Sequence, residues 1–163
     1  MNQNVSIPAL VIRLANDDDL PRLDSVRQAA FVPVFESFRS ILGEEIYDLA
    51  QAHEDKAQGS YLISLFEPGS SWNVYVAEVE HIVVGFVSFQ LNQDTQVGEI
   101  GLNAVYPDYA GRGIGTEMYR YAIEKMKAAG MKVATVGTGG DPSRAPARRA
   151  YAKAGFTVSI PSV

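Results

Sequence analysis

The sequence predicts an α/β fold, a layer of strands flanked by helices, and three observations lead there. Apolar residues recur at helical spacing in the first third, switch to a period of two after Glu67-Pro68-Gly69-Ser70-Ser71, and return to helical spacing beyond Ile114. Of 163 residues 47% are hydrophobic, enough apolar material for one core and most simply one domain spanning residues 1–163. No repeat, linker or low-complexity tract divides the chain.

The elements follow in order. Leu10 to Leu14 is a short β-prone run. Asn16-Asp17-Asp18-Asp19-Leu20-Pro21 is a helix start, with several possible caps and acids in the first turn. Leu20, Leu23, Ala30 and Phe31 continue it at helical spacing. A second helical stretch is expected from about Phe35 to Gln58, interrupted near Gly43, with Ile41, Ile46, Leu49 and His53 on or near one face. Trp72, Val74, Val76 and then Ile82, Val84, Phe86, Phe89 read as two strands joined around Val79-Glu80-His81. The polar stretch from Asn92 to Gln96 leads to a strand from Glu99 to Val105. Ile114, Met118, Tyr121, Ala122 and Met126 form the apolar stripe of the next helix, with Gly130 as its C-cap. Lys132 to Gly137 reads as a fifth strand, Ala145 to Ala154 as a helix stopped by Gly155, and Phe156 to Ile160 as a final short strand. The order is β-α-α-β-β-β-α-β-α-β.

The most informative segment runs from Val105 to Thr116. A strand breaks at Pro107, Gly111, Gly113 and Gly115 follow, and a helix begins. A glycine-rich turn feeding a helix N-terminus is an anion site, because the backbone can approach a phosphate and free N–H groups point at it. Each such charge-assisted hydrogen bond contributes roughly 1.5–3 kcal/mol. No Gly-Lys-Ser/Thr follows, so the lysine and magnesium-binding hydroxyl of a nucleoside-triphosphate loop are missing. A dinucleotide fold places this turn after its first strand with an acid about 20 residues on. Here the turn comes two-thirds along the chain, and Ala134 and Thr135 stand where the acid belongs.

This strand, turn and helix resemble the acetyl-CoA-binding segment of the GNAT superfamily of N-acetyltransferases, whose signature is R/Q-x-x-G-x-G/A. It falls on Ala110-Gly111-Arg112-Gly113-Ile114-Gly115. Ala110 departs from the usual Arg or Gln, and Arg112 is placed to supply the lost charge. A second motif, Ala147-Arg148-Arg149-Ala150-Tyr151-Ala152-Lys153-Ala154-Gly155-Phe156, resembles the superfamily's A-x-x-x-Y-x-x-x-G-F helix. The element order matches as well, so the resemblance covers nearly the whole chain and is weakest in the first 60 residues. It implies a mixed, mostly antiparallel sheet flanked by helices, with a splay between the fourth and fifth strands that receives acetyl-CoA. Asn103, Ala104 and Val105 would bond the pantetheine arm through backbone groups. The pyrophosphate would sit on Ala110, Gly111, Arg112, Gly113, Ile114, Gly115 and Thr116. Members usually carry one more strand, paired with the one at Lys132–Gly137, so the last strand is expected to be short or missing. A second copy of the chain is expected to cover that open edge, making a homodimer.

Acetyl transfer to an amine requires a neutral amine, a polarised thioester carbonyl and a protonated leaving thiolate. The resemblance implies Glu99 as general base, and the strand period puts Glu99, Gly101, Asn103 and Val105 on one face, with Gly101 leaving room for substrate. Glu99 reads equally as an exposed acid at a strand start. The resemblance implies that Tyr151 protonates the thiolate, the other reading being a half-buried packed aromatic. Ala147 and Ala150 are small enough for cofactor to pass. Arg144 stands where the superfamily often has an asparagine; it reaches the 3′-phosphate, a substrate carboxylate, or solvent. Asp141 or Ser143 caps the helix and Pro146 fits its first turn. Gly137, Gly139 and Gly140 form an open loop. Trp72, Tyr75, Phe35, Phe38, Tyr61, Leu62, Leu65 and Phe66 are candidate walls of an acceptor pocket or simple core.

Composition narrows the function classes. Net charge is −5, from 14 basic and 19 acidic residues, and the only local basic cluster is Arg144, Arg148 and Arg149. That argues against a nucleic-acid partner and mildly for a cationic or neutral substrate. Cysteine is absent, which removes a cysteine nucleophile and a disulfide framework. His53 and His81 lie far apart, so no metal site is expected. No run reaches 18 apolar residues and the N-terminus is polar (Asn2, Gln3, Asn4), so neither a membrane span nor a secretory signal is expected, and the location expected is cytoplasmic. The sequence therefore points to an acetyl-CoA-dependent N-acetyltransferase acting on a primary amine in a ternary complex. An acyltransferase using another acyl-CoA, or a module that holds acetyl-CoA without turnover, are the alternatives.

Overall fold

The structure is a computed structural model that describes residues 9–161; Asn2, Gln3 and Asn4 lie outside the described residues. Strands β1 (Leu10–Leu14), β2 (Trp72–Val79), β3 (Ile82–Asn92) and β4 (Val97–Val105) pair antiparallel in succession. Strand β5 (Val133–Val136) joins β4 in parallel, giving one sheet in the order β1-β2-β3-β4-β5. Helices α1 (Leu20–Leu42), α2 (Glu44–Ala50) and α3 (Ala52–Ser64) connect β1 to β2. Helix α4 (Ile114–Ala128) lies between β4 and β5, and α5 (Ala145–Ala154) follows β5.

The sheet is mixed and mostly antiparallel, with helices on both faces, as expected. Two cores result. On one face Leu23, Val26, Leu62 and Leu65 of α1, α3 and the turn after it pack on Val74, Val76, Phe86 and Ala104. On the other, Ile114, Met118, Ala122 and Met126 of α4, with Tyr151 of α5, pack on Ala77, Val84, Val87 and Ile100. Strand β3 is central and buried on both faces, and so reads as a nearly continuous apolar run. Phe86 is fully buried, which stabilises the fold by about 1.5–3 kcal/mol. Glu80 and His81 both take positive φ (51° and 65°), the twist that a two-residue hairpin between β2 and β3 requires. Gly130 (φ 85°) and Gly155 (φ 119°) end α4 and α5 in the left-handed conformation.

Three sequence expectations are corrected. Helix α1 does not stop before Phe35 but runs through Pro33 to Leu42, since Pro33 is exposed and its missing N–H interrupts only the solvent side. The chain then breaks at Gly43 (φ 77°) and again at Gln51, giving three helices instead of two. Ile41, Ile46 and Leu49 are exposed, and Tyr47 takes the buried position of α2. Finally, Phe156 to Ile160 form no strand. Val158 and Ile160 bury nothing, both being 84% exposed, whereas Phe156 folds back edge-on against Tyr151 at 6.0 Å. Among the described residues the outer edge of β5 makes no ladder. Among them, too, no helix is long and apolar enough to cross a membrane.

The start of α1 is tied to the sheet by one arginine. Arg13 of β1 donates from Nη1 and Nη2 to both carboxylate oxygens of Asp19, each at 2.8 Å, and from Nε and Nη2 to Glu78 of β2 at 2.9 and 2.6 Å. Asp19 also accepts from the Asn16 backbone N–H at 2.9 Å, closing a capping box. The Arg13 guanidinium holds the Asp19 carboxyl below its ordinary range, against the opposing effect of burial. A depressed native pKa gives stability that is present above the unfolded value and lost as pH falls through the native one. Asp19→Asn is therefore expected to lower the unfolding free energy at neutral pH by about 1–3 kcal/mol. In denaturant titrations the gap from the parent should close as pH drops below about 4. A gap that persists unchanged at low pH would contradict the ion-pair account.

Candidate active site

The site is organised by one irregularity in β4. Val87 of β3 pairs with Asn103 while Phe89 pairs with Ile100, so Ser88 alone opposes both Gly101 and Leu102. This is a β-bulge, and it re-aims every side chain beyond it. Glu99 and Gly101 face α1 and α3: the charge of Glu99 acts on Tyr61, and Gly101 lies against Trp72. Leu102 and Ala104 also pack on that side, whereas Val105 packs on the α4 side. Asn103 points to α4 and α5, where its side chain is hydrogen-bonded. The expectation that Glu99, Gly101, Asn103 and Val105 share one face is thus wrong, because an added residue resets the period of two. The space above Gly101 is not open for substrate either. A Cβ there would lie 2.4 Å from the Trp72 ring.

The bulge is held by side chains. Ser88 Oγ donates to the Leu102 carbonyl at 2.8 Å, and Asn103 Nδ2 donates to the Gly101 carbonyl at 2.9 Å. Ser88 is fully buried, so its hydroxyl has no competing water. Past the Ile100–Val136 pair, β5 stops pairing with β4, while β4 continues to Val105 against β3 alone. The two strands part there: the edge of β4 from Gly101 onward has no ladder partner on that side among the described residues, and β5 runs out into the loop of Gly137, Gly139 and Gly140. Among the described residues, sequence-predicted Asn103, Ala104 and Val105 all lie along that edge.

The N-terminus of α4 opens beside it. Gly113 is its N-cap, in the left-handed region (φ 84°), with no side-chain hydrogen bond covering the first turn. Gly111 (φ 75°) is exposed, with open space where a Cβ would stand. Ile114 is 1% exposed and anchors the turn in the core, and Thr116 is buried, so both offer only backbone outward. Ala110 donates its N–H to Pro107. Arg112 is exposed; it reaches back to the Asp108 carbonyl at 2.9 Å and lies over the Tyr109 ring.

Tyr151 meets Asn103 between α4 and α5. Asn103 Nδ2 donates to the Tyr151 hydroxyl oxygen at 3.0 Å, and Tyr119 donates to Asn103 Oδ1 at 2.7 Å. The Tyr119 and Tyr151 rings stack at 4.5 Å, and Ala147 and Ala150 pack beside them. Burial, then the adjacent Tyr151 hydroxyl, push the Tyr119 phenol well above the ordinary tyrosine range. Tyr119 escaped the sequence reading, which gave its place in the stripe to Tyr121. The signal was Gly115 one turn before, whose missing side chain leaves space beside the Tyr119 ring.

On the opposite face, Glu99 is exposed and accepts from Gln90 Nε2 at 2.8 Å. Phe35, Phe38 and Tyr61 line a cleft of about 400 Å³ with Gln51, Glu54, Asp55, Ala57, Gln58 and Arg144. Arg144 lies over the rings of Phe31 and Phe38, on the α1 side, with its stem against Gly139. Leu62 and Leu65 are core, and Tyr75 stacks on Phe89 on the other face. The loop after β5 is shaped by Arg148, which donates to the carbonyls of Gly139 (2.6 Å) and Asp141 (2.9 Å). Asp141 caps the turn before α5 by accepting from the Ser143 N–H, and it also accepts from the hydroxyls of Ser143 and Ser37. Burial pushes its carboxyl up, but these hydrogen bonds outweigh it and hold it low. Arg144 and Arg148 are thus engaged by aromatic rings and backbone carbonyls around Gly139, and Arg149 is exposed. Among the described residues no cluster of His, Asp or Glu is arranged to hold a metal.

The model of the acetyltransferase (GNAT) family matches residues 35–156, three-quarters of the chain. The chain belongs to the GNAT acetyltransferases. A relative from Archaeoglobus fulgidus, described as an uncharacterized N-acetyltransferase, is 34% identical over 147 residues, covering 86% of this chain and 88% of the relative. The fold recurs in a GNAT acetyltransferase from Brucella melitensis solved with acetyl-CoA (TM-score 0.60, 23% identity, 83% of this chain and 80% of that one). It recurs again in a Bacillus subtilis acetyltransferase solved with CoA (TM-score 0.60, 20% identity, 93% and 78%).

In this GNAT chain the bulge can be probed directly. Gly101→Ala would place its Cβ 2.4 and 2.6 Å from two Trp72 ring atoms and 3.0 Å from Ser88 Oγ. We expect a stability loss of about 1–3 kcal/mol and a changed emission spectrum from Trp72, the only tryptophan. Parent-like emission and stability would show that the indole is not seated there.

Proposed function

We propose that this GNAT chain is an N-acetyltransferase that carries acetyl from acetyl-CoA to a primary amine by direct transfer in a ternary complex. The observation that carries the reading is the conjunction of a β4 edge left unpaired past Ile100, an uncapped helix N-terminus behind a left-handed Gly113, and a tyrosine hydroxyl bonded to Asn103 on that same stretch of β4. The residues fit the cofactor. Gly111 to Thr116 offer backbone N–H groups to the pyrophosphate, and the edge at Asn103, Ala104 and Val105 offers backbone to the pantetheine arm. Bound acetyl-CoA supplies an electrophilic thioester carbonyl and a thiolate leaving group.

The chain's own residues then divide the proton work across the sheet edge. Tyr151, on the α4–α5 face, donates a proton to the departing sulfur. Glu99, on the α1–α3 face, accepts the proton that the ammonium must lose, through water, with Gln90 fixing its carboxylate. The acceptor enters through the cleft walled by Phe35, Phe38 and Tyr61, whose Glu54 and Asp55 favour a cationic amine. The chain has no cysteine to carry the acetyl group covalently. The relatives solved with acetyl-CoA and CoA support this choice of cofactor.

The test combines calorimetry with turnover. Wild type should bind acetyl-CoA stoichiometrically, and a Gly113→Asp, Gly115→Asp variant should not, because a carboxylate then meets the phosphates. Tyr151→Phe and Glu99→Gln should bind normally but release free thiol about 10²-fold or more slowly across a panel of polyamine, amino-acid, aminoglycoside and peptide amines. Failure of the wild type to bind at millimolar cofactor would refute the reading. Tight binding without thiol release from any amine would favour a ligand-holding module, and faster release from a longer acyl-CoA would change the donor.

A further inference from the structure

We propose that Asn103 is a positioning residue, locked by Tyr119, whose side-chain amide orders the hydrogen bonds so that the Tyr151 hydroxyl is left as the proton donor of the site. The inference rests on the reading of Tyr151 as the acid that protonates the leaving thiolate. It follows from the polarity of the bonds. The Gly101 carbonyl can only accept, so the amide group 2.9 Å away must present its nitrogen there. The same nitrogen lies 3.0 Å from the Tyr151 oxygen, which must therefore accept. Oδ1 then faces Tyr119, whose hydroxyl must donate at 2.7 Å. The Asn103 amide protons and the Tyr119 proton thus have fixed acceptors, and the Tyr151 proton is left with only the neighbouring Tyr119 hydroxyl oxygen to rest on until sulfur arrives.

The bulge carbonyl thus sets the direction of a relay two bonds away. Flipping the Asn103 amide would put two acceptors face to face at Gly101, so the arrangement is not degenerate. Tyr119 cannot exchange roles with Tyr151, because its proton is committed to Oδ1 and burial keeps its phenol protonated. In the transfer step the C–S bond breaks and leaves its electron pair on sulfur, which takes the Tyr151 proton. The O–H bond breaks, an S–H bond forms, and the O–H electron pair stays on the phenolate oxygen. The Asn103 N–H stabilises that oxygen by a charge-assisted bond, and solvent water returns the proton. The Asn103 side chain acts on the reaction through Tyr151, and Tyr119 acts through Asn103 and through its own contact with Tyr151.

Two measurements test this. In the first, the side-chain amide of Asn103 is followed by ¹⁵N NMR in wild type and Tyr151→Phe. One of the two Nδ2 protons, the one donated to Tyr151, should move strongly while its partner, donated to Gly101, holds. Equal response of both, or of neither, would overturn the assigned polarity. In the second, thiol release and acetyl-CoA affinity are both measured for Asn103→Asp, which puts an acceptor where the amide donates to Tyr151 and to the Gly101 carbonyl, so that the affinity reports any disturbance of the bulge. Turnover at saturating acetyl-CoA should fall about tenfold or more, beyond any loss of acetyl-CoA affinity, and Tyr119→Phe should fall less. In the Tyr151→Phe background Asn103→Asp should have no further effect, since both act on one proton. Undiminished loss in that background would mean that Asn103 acts otherwise, and the proposal fails. If Tyr151→Phe alone leaves turnover unchanged, the acid role falls, while the NMR result still judges the hydrogen-bond order.

Discussion

A single inserted residue in β4, where Gly101 and Leu102 face Ser88, decides which face of the sheet each candidate site residue of that strand takes. Before it, alternate side chains place Glu99 toward α1 and α3. After it, Asn103 turns to α4 and α5. Acid and base candidates thereby come to opposite faces of one strand, with the strand's free edge between them. The irregularity persists because both carbonyls beside it find donors, Leu102 from Ser88 and Gly101 from Asn103. A buried carbonyl left unpaired costs about 1–3 kcal/mol, so either donor is structurally expensive to lose. Trp72 completes the arrangement by filling the space over Gly101.

The second constraint is the anchoring of α4. Ile114, Met118, Ala122 and Met126 seat the helix in the core, fixing its N-terminus next to the point where β4 and β5 part. The backbone proposed to meet the phosphates is therefore placed by packing on one side, and the edge proposed to meet the thioester by strand pairing on the other. Arg148 ties down the third border by holding the carbonyls of Gly139 and Asp141. The site is a gap between well-packed elements, and its shape depends on groups that never approach the reacting atoms.

The parts legible in the sequence were those whose chemistry is local. The glycine spacing from Gly111 to Gly115 states a backbone need, and Tyr151 follows from a helix motif ten residues long. The bulge was illegible because Gly-Leu inside a β-prone run alters neither composition nor apparent period; only its partner strand reveals the extra residue. The stretch expected to begin a second helix near Phe35 continues α1 through Pro33, because an exposed proline on a helix packed along its other face is tolerated. Phe156 to Ile160 alternates like a strand but has no surface to bury Val158 and Ile160. Tyr119 was passed over for Tyr121 because a helical stripe is wider than one line of residues, and sequence alone does not say which edge faces the sheet.

Hydrogen–deuterium exchange with and without CoA tests the central claim most directly, since the claim concerns backbone. The account predicts that CoA protects amides in two separated stretches at once, Gly111 to Thr116 and the β4 edge from Gly101 to Val105, with little change in β1 and β2. Protection confined to the cleft of Phe35, Phe38 and Tyr61, or none in the glycine loop, would contradict it.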